Sequence, residues 1–219
     1  AQPGSAAVRQ AIWYFDFISP YAYLQFHQID RLPKDVEVHY RPILFAGLLN
    51  HWGQLGPAEI PAKKNHTFLL TRWRAQKQGL AFKAPPRHPF NPLTVLRLAI
   101  AKGSDRIAIG TIFDHIWGTG HDGQDPASMT ALAAKLQVND LQAAIGDQAV
   151  KDTLRHNTEA AVAAGVYGVP SFLIEDTLFW GDDMFDMMLE WLADPAILTA
   201  PEAQRITALE PAAERRRSS

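Results

Sequence analysis

AIWYFDFISPY, residues 11–21, opens as a strand and closes as a helix start. Residues 11–18 are aromatic and β-branched around one internal aspartate, Asp16, a composition suited to a central strand. Ser19-Pro20 then ends it, because serine is favoured at a helix cap and proline at the first helical position. The helix is predicted to run to about Leu32, with Ala22, Phe26, Ile29 and Leu32 on one face. Beyond Pro33, VEVHYRPIL (36–44) alternates apolar and polar residues as a half-buried strand does. The first 44 residues thus read as strand, helix, strand.

Outward from there the pattern changes. From Phe45 to about Gly165 there is helical periodicity punctuated by Gly and Pro, with almost no strand signal. Helices are predicted over 67–78, 91–102, 104–117 and 126–137, and a longer one over 147–164 that Gly165 stops. Strand character returns in SFLIED (171–176) and TLFWG (177–181), a hairpin turning at Glu175-Asp176, and a last helix covers 182–193. The alanine-rich, charged tail from Pro201 is expected to pack loosely. This order predicts an α/β, thioredoxin-like fold with a large all-helical insertion. The thioredoxin-like domain would be discontinuous, residues 1–44 and 166–219, around a helical insertion domain of residues 45–165.

With 219 residues, 47% of them apolar, the chain can bury a substantial core, which excludes disorder as its overall state. Lysine plus arginine number 21 against 23 acidic residues, a formal charge of −2, so there is no electrostatic case for a nucleic-acid partner. Three positive charges cluster in Arg215, Arg216 and Arg217, which leaves the body mildly acidic. No apolar run approaches the roughly 20 residues that span a bilayer, and the opening AQPGSAAVRQ lacks the apolar core of a secretory signal. A soluble, cytoplasmic protein without membrane contact is expected. Cysteine is absent, so this chain offers no disulfide, thiolate nucleophile or thiolate metal site. Sulfur chemistry here would need a borrowed thiol.

Three places could carry chemistry. Ser19 sits where a strand ends and a helix begins, and unpaired N–H groups with the helix dipole favour an anion such as a thiolate there; it also reads as a plain helix cap. Phe15, Phe17 and Tyr21 surround it with aromatic rings, as a small-molecule pocket requires. Pro170, in Gly168-Val169-Pro170-Ser171, precedes the returning strand as an ordinary turn proline or as a cis-proline. A cis bond would turn the N–H and C=O of Val169 outward to pair with an extended peptide. Trp180-Gly181-Asp182-Asp183 lies before the last helix, where an aspartate could cap it. Alternatively glycine permits close approach, helix N–H groups take a carboxylate, and an aspartate accepts from an ammonium.

Other signals fail. Gly118-Thr119-Gly120-His121-Asp122-Gly123 matches the dinucleotide glycine pattern but follows a helical stretch rather than a strand. His115 and His121, with Asp114 and Asp122 adjacent, lack the spacing and the third ligand of a metal site, so no metal is expected. There is no G-x-S-x-G and no H-E-x-x-H. Trp73, Phe113 and Trp117 read as core. Lys63 and Lys64 read as solvated unless the insertion folds over Ser19.

YFDFISPYAYL (14–24), GPAEIPAKK (56–64), GVYGVPSF (165–172) and FWGDD (179–183) together resemble the 2-hydroxychromene-2-carboxylate isomerases. These belong to the DsbA-like branch of the thioredoxin superfamily, beside the kappa-class glutathione transferases, and the resemblance spans nearly the whole chain. It implies that Ser19 stands where oxidoreductases carry a reactive cysteine, with glutathione as cofactor supplying the thiol and the Ser19 hydroxyl favouring its thiolate. It implies glutathione contacts at Ser19, Tyr21, Gln54, Lys63, Asn91, Val169, Trp180, Gly181, Asp182 and Asp183. The chain departs from the family after the tryptophan-glycine pair. Members commonly have asparagine, glutamine or serine, then aspartate, then arginine, whereas Asp182-Asp183-Met184 stands here, with one extra negative charge and one positive charge missing.

The implied activity is isomerisation of an aromatic-degradation intermediate, as between 2-hydroxychromene-2-carboxylate and trans-o-hydroxybenzylidenepyruvate. The partners would be glutathione and a small aromatic keto acid or chromene carboxylate, and relatives lead us to expect a homodimer. Two alternatives stay open: a kappa-like transferase conjugating other electrophiles, and a non-catalytic thioredoxin-fold module that binds peptides.

Overall fold

The computed structural model describes residues 7–213, so most of the N-terminal arm and the arginine run at 215–217 lie outside the described residues. Four strands, β1 (Arg9–Phe15), β2 (Val36–Pro42), β3 (Ser171–Ile174) and β4 (Thr177–Trp180), form one sheet in the order β2-β1-β3-β4. β1 and β2 run parallel, with Ala11 opposite Val38. β3 lies antiparallel on the other side of β1, Trp13 opposite Phe172, and turns back into β4, Ile174 opposite Thr177. The expected strand–helix–strand start and hairpin return are both present.

The boundaries differ where side chains override local propensity. β1 was expected over 11–18 but stops at Phe15, because the Asp16 carboxylate accepts from the N–H groups of Ile18 at 3.1 Å and Phe45 at 2.9 Å and bends the chain out of the sheet. The first helix, α1 (Pro20–Phe26), is shorter than predicted, and the chain proceeds through a 3₁₀ turn (Ile29–Arg31) that keeps Ile29 on the buried side.

Between β2 and β3 run α2 (Phe45–Trp52), α3 (Pro61–Lys77), α4 (Leu93–Ala101), α5 (Arg106–Phe113), α6 (Pro126–Lys135), α7 (Leu141–Gly146) and α8 (Gln148–Ala163). α3 begins six residues before the predicted start, since Pro61 takes the first helical position. That extension puts Lys63 and Lys64 on a helix. Aspartate side chains cap α5, α6, α7 and α8. α5 continues into a π-helical turn (Asp114–Gly118) where a plain helix was predicted. After β4 come a 3₁₀ turn (Asp182–Met184), α9 (Phe185–Ala193), α10 (Ala196–Thr199) and α11 (Pro201–Thr207). The tail is therefore helical, although Ile206 and Leu209 stay exposed.

One apolar cluster joins the sheet to the inserted helices. Trp13, Phe15 and Phe17 are fully buried with Phe113 and Trp117; Trp13 stacks on Phe15 at 4.5 Å and Phe17 meets Phe113 at 4.7 Å. Burying each such phenylalanine side chain contributes about 1.5–3 kcal/mol. Phe113 and Trp117 are core residues as read, but Trp73 is 55% exposed, because on α3 it faces away from the stripe of Thr71 and Ala75 that is buried. No helix among the described residues is long and apolar enough to cross a membrane.

Candidate active site

The turn leaving β1 is fixed atom by atom. The Asp16 carbonyl accepts from the Ser19 N–H at 3.1 Å, the Phe17 carbonyl accepts from the Trp117 indole N–H at 2.7 Å, and the Ile18 carbonyl meets His88 Nε2 at 2.8 Å. A carbonyl only accepts, so Nε2 carries the proton in this pair. Burial, the largest influence, lowers the His88 pKa, and a neutral His88 leaves its buried, unpartnered Nδ1 as a lone pair. Ser19 caps α1, its Oγ accepting from the Ala22 N–H at 3.1 Å. Its hydroxyl hydrogen is free to donate elsewhere.

Ser19 opens onto a cavity of about 1050 Å³ between the sheet end and α3. On one side stands Val169, joined to Pro170 by a cis peptide bond, its backbone N–H and C=O making no hydrogen bond to any described residue. Beside it Trp180 packs over Gly168 and against Tyr167, with ring centroids 5.1 Å apart. A Cβ at residue 168 would overlap the Trp180 indole, which explains the glycine. Gly181 has φ +89°, in the region that favours glycine, and its carbonyl accepts from Gln25 Nε2 at 3.1 Å, while Gln25 Oε1 accepts from the Trp13 indole at 2.7 Å.

The two aspartates after Gly181 differ sharply. Asp182 is buried, accepting from Gln28 Nε2 and Arg74 Nη1, each at 2.9 Å. Burial pushes its carboxyl up to about 6, with Arg74 acting in the opposite direction. Asp183 has an 80% exposed side chain and stands 3.9 Å from Arg74. Neither caps α9. Position 184 is methionine, and the cation beside the two aspartates is Arg74 of α3, whose guanidinium also lies 6.0 Å from the Tyr21 ring centroid.

On the opposite side, Lys63, Lys64, Thr67 and Phe68 of α3 face His88 and Phe90 across the cavity. Lys64 Nζ donates to the His88 carbonyl, tying α3 to that wall, and Phe68 meets His88 edge-on at 5.0 Å. Gln54 Nε2 donates to the Tyr167 carbonyl at 2.7 Å. The insertion does fold over Ser19, so Lys63 and Lys64 line the cavity rather than standing apart from it.

Ser19, Tyr21, Gln54, Lys63, Val169, Trp180, Gly181, Asp182 and Asp183 all line this one cavity. Asn91 does not: it is exposed, and its Oδ1 accepts from the Leu93 N–H at 3.0 Å in the turn before α4. Sequence reasoning missed Asp16 and His88, which line the cavity, and Arg74, which pairs with Asp182 but does not line it. Asp16 is fully buried in the cavity wall, and burial raises its carboxyl to about 7. An aspartate inside an apolar strand pattern was its one signal; for Arg74 it was the inward helical stripe of Lys64, Thr67, Thr71 and Arg74. The glycine pattern at 118–123 follows the π turn, away from any strand. His115 stacks on His121 at 4.2 Å, and burial first, then His121 and Lys135, lowers its pKa to about 4. Among the described residues no group of three or more His, Cys, Asp or Glu is placed to hold a metal.

Residues 11–193 match the family model described as the DSBA-like thioredoxin domain. The 2-hydroxychromene-2-carboxylate isomerase of Pseudomonas putida is 26% identical over 185 residues, 80% of this chain and 90% of the relative. Glutathione S-transferase kappa 2 of Caenorhabditis elegans is 27% identical over 206 residues, 84% and 91% respectively. A solved 2-hydroxychromene-2-carboxylate isomerase structure superposes with a TM-score of 0.75 at 20% identity, covering 87% of this chain and 98% of that one. The likeness establishes the thioredoxin-like α/β fold with inserted helices, and the resemblance read from the motifs stands.

Proposed function

We propose a glutathione-dependent isomerase for this chain, which belongs to the DSBA-like thioredoxin domain family. The observation that carries the reading is Ser19: in a chain without cysteine, its hydroxyl lines the same cavity as the unpaired backbone of Val169 and the charged turn at 181–183. That constellation fits an extended, zwitterionic thiol peptide. Val169 offers one N–H and one C=O to its backbone, and Asp183 offers a carboxylate to its ammonium. When bound, glutathione supplies a thiolate that adds reversibly to a conjugated carbon of the ring-opened keto acid and leaves after bond rotation.

The chain's own residues prepare that step. Ser19 Oγ is held by the Ala22 N–H, which leaves its hydrogen to donate to a sulfur anion, and each pKa unit by which a thiol is lowered corresponds to about 1.4 kcal/mol. Phe68, His88 and Phe90 give an aromatic wall for an aromatic substrate, and Lys63 is a cation for its carboxylate. Lys64, committed to the His88 carbonyl, positions that wall.

The test is an ultraviolet titration of the protein with glutathione at several pH values, paired with the rate of trans-o-hydroxybenzylidenepyruvate isomerisation with and without glutathione. Saturable thiolate absorbance near neutral pH, lost in Ser19→Ala together with the glutathione-dependent rate, is the expected result. Absence of binding would remove the reading and favour a peptide-holding module. The similarity to a kappa transferase supports a second reading, conjugation of other electrophiles. A stable glutathione adduct that accumulates would select it.

A further inference from the structure

We infer that the solvent face of α3 docks on an anionic membrane surface. Eleven of the 17 residues of α3 are exposed and only Thr71 and Ala75 are fully buried, so the helix lies along the protein as a ridge. His66, Leu69, Leu70, Trp73 and Lys77 recur at i, i+3, i+4, i+7 and i+11, which places them on one stripe turned to solvent. Leu69 is 64%, Leu70 40% and Trp73 55% exposed. Singly exposed apolar residues call for no explanation, but three large ones within five residues of one helix form a patch that does. Trp73, expected in the core, stands in water on that patch.

The partner follows from the charges. α3 carries five of the chain's 21 basic residues, Lys63, Lys64, Arg72, Arg74 and Lys77, and none of its 23 acidic ones. Arg74 is committed to Asp182 and Lys64 to the His88 carbonyl. Lys63, Arg72 and Lys77 form no ion pair with any described residue, and Lys77 Nζ stands 5.6 Å from the Trp73 ring centroid. Leucine and tryptophan flanked by unpaired cations suit a helix lying in a lipid interface, where the apolar side chains enter the headgroup boundary and lysine and arginine reach the phosphates. Such docking is peripheral, since no helix among the described residues is long and apolar enough to cross a bilayer. Two other occupants fit less well. A second copy joined through this face by a two-fold axis would bring two sets of the same cations together. A peptide docks in a groove or on a sheet edge, and a ridge offers neither. The opposite stripe of α3 includes Thr67 and Phe68, which line the cavity, so an adsorbed surface lies about 10 Å, one helix diameter, from it.

The experiment is flotation of the whole protein with vesicles of phosphatidylcholine alone and of phosphatidylcholine with about a third phosphatidylglycerol, at about 0.1 M and about 0.5 M salt. The wild type is expected to float with the mixed vesicles at the lower salt, to bind them more weakly at the higher, and to leave the neutral vesicles unbound. Its tryptophan emission should shift to the blue on binding, a shift that Trp73→Phe loses. Arg72→Gln/Lys77→Gln and Leu69→Ser/Trp73→Ser are each expected to lose about tenfold in affinity for the mixed vesicles. These four side chains are exposed and do not line the cavity, so both variants should keep the wild-type thermal unfolding and glutathione titration. No binding to the mixed vesicles, equal binding to both kinds, or unchanged binding in the two variants overturns the inference. A dimer in sedimentation that Leu69→Ser/Trp73→Ser dissociates gives the face to a second copy and overturns it. Tighter binding to poly-glutamate than to the mixed vesicles gives it to an acidic protein and overturns it too. All of these outcomes leave the glutathione reading untouched.

Discussion

Trp117 donates its indole N–H to the carbonyl oxygen of Phe17 at 2.7 Å, so a residue inserted a hundred positions later holds the peptide two residues before Ser19. His88 holds the next carbonyl, and Asp16 holds the N–H between them. The inserted helices are thus part of the mould that shapes the Ser19 turn.

Replacing Trp117 with Phe keeps a ring in the core but strands the Phe17 carbonyl. An unmet buried acceptor costs about 1–3 kcal/mol, with a further cavity contribution from the smaller ring. Denaturant unfolding should show at least that loss. Thiolate formation on titration with glutathione should weaken as well, because the turn at Ser19 loses one of its clamps.

Asp16 gives a pH signature. Its folded carboxyl titrates at about 7, above the roughly 4 of an unfolded aspartate, so the folded state binds the extra proton between those values. Its contribution to stability is fully present below about pH 4 and is lost as pH rises through about 7. His115, lowered to about 4, acts with the opposite sign between about pH 4 and 6.5, so the wild-type curve alone is a sum. Asp16→Asn isolates the carboxyl. Its amide can accept only through oxygen, so one of the Ile18 and Phe45 N–H groups loses its partner and stability falls at both pH values. The gap to the wild type should nevertheless be wider at about pH 5 than at about pH 8 in urea titrations. A constant gap would contradict the raised carboxyl.

Gly168→Ala tests the rim of the cavity. The new methyl overlaps the Trp180 indole, which is 47% exposed and can swing outward. Stability should change by no more than about 1 kcal/mol, while glutathione affinity falls several-fold. Tryptophan fluorescence should shift to the red as the indole enters water. Retained affinity would mean that Trp180 is not part of the binding surface.

Gln25→Leu tests the support behind Gly181. Gln25 is buried and bridges the Trp13 indole to the Gly181 carbonyl, so leucine leaves both without partners. The expected cost is about 1–3 kcal/mol for the indole N–H alone. Glutathione affinity should fall with it, since the 181–183 turn loses its anchor to α1. Calorimetric titration and thermal unfolding on the same sample separate the two effects.

How much of this was legible in the sequence follows from the range of the interactions. The helix start at Ser19-Pro20, the hairpin at Glu175-Asp176 and the stop at Gly165 depend on near neighbours, and they were read directly. The early end of β1 was not, because Asp16 takes its second hydrogen bond from Phe45, a residue 29 positions away. Arg74 escaped notice for the same reason: its meaning comes from Asp182, 108 positions later. Trp73 was misplaced because composition says a tryptophan prefers burial, while the helical face that carries it is set by Thr71 and Ala75. Of the candidate site, the residues on the β1–α1 turn and the 168–183 return could be named from motifs. His88, between two prolines in an irregular stretch, carried no local pattern at all.

The pairing of β1 with β3 sets a timetable for the newborn chain. Ala11 faces Ile174 in the finished sheet, so β1 can meet β2 once residue 42 has emerged, but its other edge must wait for residue 174. At about 5–20 residues per second of synthesis, that edge stays bare for about 7–26 s. Trp13 and Phe15, side by side on an unpaired strand, are then the chain's greatest exposure to association with its neighbours. Helix α5, which is made in the interval and brings Phe113 against both rings, acts as their first cover. A variant that weakens this early cover should therefore lower the yield of soluble protein in the cell more than its equilibrium stability would suggest.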